Sequence, residues 1–207
     1  MSTIEKTEFI LICIIAAVFC FFTFYLLIKS KKAKKNYERR IKVLEKELRF
    51  DYLTGVLSRK AFISEMNEEL ASTGIGALLI FDVNGFKSVN DTFGHAAGDE
   101  FIKRFASRIS KAFDKEIVGR LGGDEFVVFI KGKCDKEKIN NTIKKSGVAE
   151  FYDKPTKLTL TSCCGVAASP ENGNTFEDLY AAADKALYRS KNSSHSIVYC
   201  NTQNEEF

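Results

Sequence analysis

The sequence predicts an α/β sandwich on a largely antiparallel sheet, preceded by one transmembrane helix and a helical linker. Three observations predict it. Short apolar runs of strand type intermix with segments of helical apolar spacing; no Rossmann or Walker glycine fingerprint marks a doubly wound parallel sheet; and one uncharged stretch near the start is long enough to cross a bilayer. A composition of 45% hydrophobic and 28% charged residues, with 2 Pro and 13 Gly in 207, excludes collagen-like, low-complexity and disordered chains.

Residues 9–28 carry no charge, and 20 residues of helix span about 30 Å, the thickness of a bilayer core. A cleavable signal peptide fits less well, because the lysines follow the apolar run and no small-residue cleavage site accompanies it. Between residues 29 and 42, Lys29, Lys31, Lys32, Lys34, Lys35, Arg39, Arg40 and Lys42 face Glu38 alone. This excess places the C-terminal side in the cytoplasm and residues 1–8 outside, as a stub too short to fold. The protein is thus read as single-pass in the inner, cytoplasmic membrane. The whole-chain net charge of +4 resides in that cluster, so the remainder is near neutral and slightly acidic. It offers no broad basic face for nucleic acid, which is excluded as a partner. Of six cysteines, Cys13 and Cys20 fall in the span; Cys134, Cys163, Cys164 and Cys200 fall in the reducing compartment, and with only two histidines none has zinc-ligand spacing.

Tyr37, Ile41, Leu44 and Leu48, spaced 4, 3 and 4 apart, make a short heptad seam: either a coiled coil or a solvated helix packed on its own domain. Residues 29–50 are therefore a basic juxtamembrane and coiled-coil linker, and 51–207 the globular domain. Ser58 caps a helix bearing Phe62, Ile63, Met66 and Leu70, which Gly74 and Gly76 end. Ala77 to Val83 is a buried strand interrupted by Asp82. A helix carrying Phe101, Ile102, Phe105, Ile109 and Phe113 follows Asp99. Ile117 to Leu121 and Phe126 to Ile130 form a hairpin whose tip is Gly122, Gly123, Asp124 and Glu125. Asp135 to Lys145 is helical and Lys157 to Ala168 a strand. Thr175 and Asp178 make a capping box for a helix with Phe176, Leu179, Tyr180, Ala183 and Leu187, and Ser196 to Cys200 is a final strand.

A carboxylate at the end of a buried strand needs a partner, so Asp82 is either a cap for the following turn or a metal ligand. Asp124 and Glu125 on a hairpin tip favour the metal. If that tip lies beside the strand end, three carboxylates converge, and a hard cation such as Mg²⁺ is what keeps them ionised. Lys87, beyond the Asn84-Gly85-Phe86 turn, adds a positive charge where phosphates could lie. The set points to Mg²⁺-dependent nucleotidyl or phosphoryl transfer.

Gly122 to Phe126 spells GGDEF, and from Asp51 to Cys200 the chain resembles the GGDEF domain of diguanylate cyclases. Four further blocks carry the resemblance: DYLTGVLSR from Asp51, DVNGFKSVNDTFGHAAGD from Asp82 to Asp99, Gly119-Arg120 before the turn, and ADKALYRSK from Ala183 to Lys191. The resemblance implies a fold related to the palm of nucleotide polymerases and adenylyl cyclases. It implies condensation of two GTP into cyclic di-GMP with release of two pyrophosphates, by a homodimer holding one GTP per protomer. By the same resemblance Asp82, the Val83 carbonyl, Asp124 and Glu125 bind Mg²⁺, or Mn²⁺ in its place. Asp124 and Glu125 are the catalytic acids, with Glu125 also suited to activating the attacking hydroxyl. Asn90 and Asp99 read the guanine edge; Gly85, Phe86, Lys87 and Lys191 hold the triphosphate; Gly122 and Gly123 let the nucleotide approach the main chain. A degenerate domain, acting as a non-enzymatic GTP-binding or protein-interaction regulator, is the alternative, against which all three acids are retained. Three positions depart from the family pattern: Asn84 for an acid, His195 for an arginine and Cys163 for a serine. An inhibitory Arg-x-x-Asp site would fall on Phe113 and Glu116, which lack the arginine. Input is expected from a membrane-embedded partner, the bilayer or expression level.

Overall fold

The computed structural model describes residues 21–37, 40, 49–153, 156–192 and 197–200. The chain divides into two compact units, Met1–Glu47 and Leu48–Phe207. Within the first, residues 21–37 are helical, and the large apolar side chains from Phe21 to Ile28 are all solvent-exposed. Most of the expected membrane span (9–28) and of the heptad seam (37–48) lies outside the described residues. Among the described residues no helix is long and apolar enough to cross a membrane.

In the second unit the order is β1 (Leu57–Ser58), α1 (Arg59–Thr73), β2 (Gly76–Val83), α2 (Phe86–Phe93), α3 (His95–Ala112), β3 (Ile117–Gly122), β4 (Glu125–Lys131), α4 (Lys136–Ser146), β5 (Val148–Asp153), β6 (Thr156–Ser169), α5 (Phe176–Lys191) and β7 (Ile197–Tyr199). The strands form one sheet in the order β1-β3-β4-β2-β6-β5, with β7 also on β6. It is mixed, which corrects the expectation of a mainly antiparallel sheet. The ladders β3–β4, β4–β2, β2–β6 and β6–β5 are antiparallel, whereas β1 runs parallel to β3 and β7 parallel to β6. The second of these follows from connectivity: α5 is a crossover that carries the chain from β6 back to the sheet in the same direction.

Alternation along β2 decides the layers. Leu79, Phe81 and Val83 point to the face covered by Phe101, Ile102, Phe105 and Ile109 of α3 and Ile139 and Ile143 of α4. Leu78 and Ile80 point to the opposite face, covered by Phe62, Met66 and Leu70 of α1 and Leu179, Ala183 and Leu187 of α5. Burial on both faces is why this strand reads as an unbroken apolar run. Two glycines set how closely the helices approach. A Cβ on Gly165 of β6 would collide with the Ala183 carbonyl and lie 2.5 Å from Leu187 N, so α5 rests directly on the strand. Gly119 of β3 likewise leaves room for Phe62.

Helix ends follow their local chemistry, with corrections. Gly74, at φ 68°, stops α1 and donates its N–H to the Leu70 carbonyl, but Gly76 begins β2, where a side chain would strike the Phe129 ring. Ser58 occupies the N-cap position of α1 without a side-chain capping bond. Asp135 accepts from Glu137 N and Lys138 N. Thr175 accepts from Asp178 N, while its hydroxyl donates to Asp178 Oδ2 at 2.8 Å, so the capping box closes side chain to side chain. Three elements were not read from the sequence: β1, α2 and β5. Asp99 lies inside α3, not before it.

Candidate active site

The geometry begins with strand register. In the β2–β4 ladder Asp82 stands directly opposite Glu125, and on its other side opposite Cys163 of β6. Asp124 occupies the turn between β3 and β4, and its carbonyl accepts a hydrogen bond from Val83 N at 3.4 Å. Three acids from two chain segments thus meet at one edge of the sheet. The turn itself needs glycine: Gly122 and Gly123 have φ of 151° and 52°, and the space above both is open.

Their charges act on one another. Burial, its own backbone amide notwithstanding, and the neighbouring Asp82 push the Asp124 carboxyl above its ordinary pKa. Burial and then Asp82, Asp124 and Asp184 push Glu125 up as well. Lys191, at the C-terminal end of α5, answers them with Nζ 2.7 Å from Asp82 Oδ2, and the Arg120 charge also acts on Asp124. Burial opposes the Lys191 charge, but the hydrogen bond and charge of Asp82, and the charge of Asp124, hold its pKa above the usual lysine value. The donors are all hard oxygens, with no thiolate or imidazole among the three acids, and they carry more negative charge than Lys191 offsets. They suit a hard divalent cation. Among the described residues they do not close into a ready-made metal cage, and Asp82 is engaged by Lys191.

Beyond β2, Gly85 turns the chain at φ 77° into α2, whose first residues are Phe86 and Lys87. The opening N–H groups of a helix lack intrahelical acceptors, so the start of α2, a short turn beyond Val83, offers donors to an anion. Asn90 sits on α2, half-buried, and Asp99 on α3, exposed. Asn84 does not enter the acid cluster: its Nδ2 donates to Thr161 Oγ1 (3.1 Å), and its amide lies 3.5 Å from Cys163 Sγ. The Asn84 and Cys163 departures therefore meet each other, tying the β2 end to β6. His195 lies outside the described residues.

A second layer holds the hairpin, and sequence reading gave it no role. Arg120 of β3 donates through Nε and Nη2 to the Gly123 carbonyl (3.1 and 2.7 Å) and through Nη1 to Asp51 Oδ1 (3.0 Å). Asp51 in turn accepts from both the backbone N–H and the hydroxyl of Thr54. Burial pushes the Asp51 carboxyl up, but Thr54 and Arg120 outweigh it and hold it below its usual pKa. The DYLT block is thus the brace of the GGDEF turn. Its signal in the sequence was the Arg120 two positions before the glycines, with an acid free to meet it.

These positions coincide with a known family pattern. The family described as diguanylate cyclase, GGDEF domain, matches residues 48–196. The chain belongs to the GGDEF diguanylate cyclase family. It is 31% identical over 158 residues to the probable diguanylate cyclase DgcT of Escherichia coli, covering 72% of this chain and 34% of that protein. It is 30% identical over 162 residues to the diguanylate cyclase VdcA of Vibrio cholerae, covering 75% and 48%. The chain therefore spans between a third and a half of the length of these two relatives. Among solved structures, the GGDEF domain of TpbB (YfiN) from Pseudomonas aeruginosa superposes with a TM-score of 0.67 at 28% identity, over 73% of this chain and 94% of that one. The GGDEF domain of DgcB from Caulobacter crescentus, solved in complex with c-di-GMP, gives 0.65 at 27% identity, over 74% and 94%.

Proposed function

We propose that this GGDEF protein is a diguanylate cyclase that joins two GTP into cyclic di-GMP and releases two pyrophosphates. The observation that carries the reading is the register that sets Asp82 against Glu125, with Asp124 in the adjoining turn. Each bond forms when a ribose 3′-oxygen attacks the α-phosphorus of the other GTP and pyrophosphate leaves. Bound Mg²⁺ would supply charge neutralisation of the triphosphate and polarise the α-phosphate, held by Asp82, Asp124, Glu125 and the Val83 carbonyl. The chain's own groups do the rest. Lys87 and the first N–H groups of α2 receive the phosphate oxygens, and Lys191 turns from Asp82 to the phosphates when substrate arrives. Asn90 and Asp99 take the guanine edge, since the base offers N1–H and N2–H to a carboxylate and acceptors to an amide. Glu125, whose proton affinity burial and then its acidic neighbours raise, is suited to accept the 3′-hydroxyl proton.

One hairpin holds one GTP, so two protomers face each other to close the ring, and the linker up to residue 50 is the element that pairs them. Residues 9–28 anchor the protein in the cytoplasmic membrane with the cyclase inside. The exposed apolar side chains of residues 21–28 support that reading. The test is incubation of the purified full chain with GTP and Mg²⁺, with chromatography of the nucleotides. Cyclic di-GMP and pyrophosphate in a ratio of about 1:2 is the expected result; unchanged GTP would reject the proposal.

A further inference from the structure

We propose that Gly98 is a positioning residue for base recognition, acting through Asn90. The inference rests on the reading of Asn90 and Asp99 as the guanine contacts and adds a residue to it. Helices α2 and α3 are consecutive and meet at Gly94, which has φ 82° and donates its N–H to the Asn90 carbonyl at 2.9 Å. On the next turn Gly98 is buried beneath the Asn90 side chain. A Cβ built there would overlap Asn90 Oδ1, lie 3.0 Å from its Cγ and come within 3.2 Å of Phe86 Cε2. The carboxamide therefore rests on the bare Cα of Gly98, and Asp99 follows immediately in the chain. A missing side chain thus seats the amide on the residue that directly precedes Asp99 in the chain.

The colliding atoms decide between a recognition role and a packing role. At Gly165 an added methyl would meet backbone, which cannot yield; at Gly98 it meets the far end of a rotatable side chain. Phe86 need give only a few tenths of an ångström to a methyl at 3.2 Å, and Ala favours a helix interior over Gly. Gly98→Ala should thus leave the helices packed and swing the Asn90 amide out of its seat. Among the described residues no hydrogen bond from elsewhere in the protein holds that amide back.

The experiment compares wild type, Gly98→Ala, Asn90→Ala and the double variant as full chains, measuring KM and kcat for GTP, competition by ATP, and Tm. The expected outcome for Gly98→Ala is a KM raised about tenfold, the equivalent of one or two lost hydrogen bonds. Its kcat should stay within about twofold and its discrimination against ATP should fall in parallel. Asn90→Ala should do the same, and the double variant should be no worse than Asn90→Ala alone, because both changes remove one contact. A wild-type KM in Gly98→Ala beside an impaired Asn90→Ala, or penalties that multiply in the double variant, would overturn the inference. If Gly98→Ala does not fold, a folded double variant with the KM of Asn90→Ala supports the same conclusion, and an unfolded one refutes it. An Asn90→Ala enzyme with unchanged KM would instead defeat the guanine assignment on which the inference stands.

Discussion

Glu125→Gln should stabilise the metal-free protein while destroying its activity. Glu125 faces Asp82 across a strand pair, where Cβ atoms sit about 5 Å apart and like charges repel. Two carboxylates about 6 Å apart in a water-like to half-screened medium cost about 0.7–1.4 kcal/mol. Both sit at the solvent edge and Lys191 offsets part of the charge, so about 0.5–1 kcal/mol is a reasonable net figure. For a domain of this size that is a Tm gain of about 1–4 °C. The pH dependence carries the test. The folded Glu125 pKa is raised, by burial first and then by Asp82, Asp124 and Asp184. A raised pKa means the ionised group costs stability: the cost is absent below the unfolded value of about 4.3 and fully present once pH exceeds the raised folded value. Thermal melts in EDTA should therefore show the variant's advantage growing from about pH 4 to pH 7, and Mg²⁺ with GTP should reverse it by stabilising wild type alone. A variant no more stable than wild type at pH 7 in EDTA, or one whose advantage is the same at pH 4, would show that the acids do not strain the fold.

Three further outcomes follow from the geometry. Arg120→Ala should lose about 2 kcal/mol, because it strips a largely buried partner from Asp51 and two donors from the Gly123 carbonyl; in a double-mutant cycle with Asp51→Asn the stability losses should be clearly less than additive, and strict additivity would deny the brace. Gly165→Ala should lower stability by about 1–3 kcal/mol with little else changed, since its methyl meets the α5 backbone; a wild-type melt would contradict the close helix approach. Product should not inhibit through the Phe113–Glu116 surface. Phe113 is buried against Phe81 at a ring distance of 6.1 Å, and Glu116 Oε2 is already occupied by the Lys131 N–H at 2.9 Å. Cyclic di-GMP titrated into an initial-rate assay should leave the rate unchanged, whereas low-micromolar inhibition abolished by Glu116→Ala would contradict it.

What could be read from the chain, and what could not, divides by the range of the interactions. Asp82, Asp124 and Glu125 were legible because each is a local anomaly: an acid in an apolar strand, and two acids after a glycine pair. Helices α1, α3, α4 and α5 were legible from apolar spacing, because one face of each lies on the sheet. The eight residues Phe86–Phe93 hid α2 by their shortness: Phe86, Val89 and Phe93 keep the helical spacing of 3 and 4, but only Val89 is buried and two turns of helix do not stand out from a loop. Parallel pairing of β1 and β7 was invisible for a different reason: strands of two and three residues carry no pattern, and direction is set by α5 and by the register with β3 and β6. Gly98 shows the sharper limit. In the sequence it is one more glycine just ahead of the helix expected after Asp99, with nothing to set it apart. Its purpose exists only when α2 folds back and lays Asn90 upon it, so the residue that positions the amide leaves no local trace except the absence of a side chain.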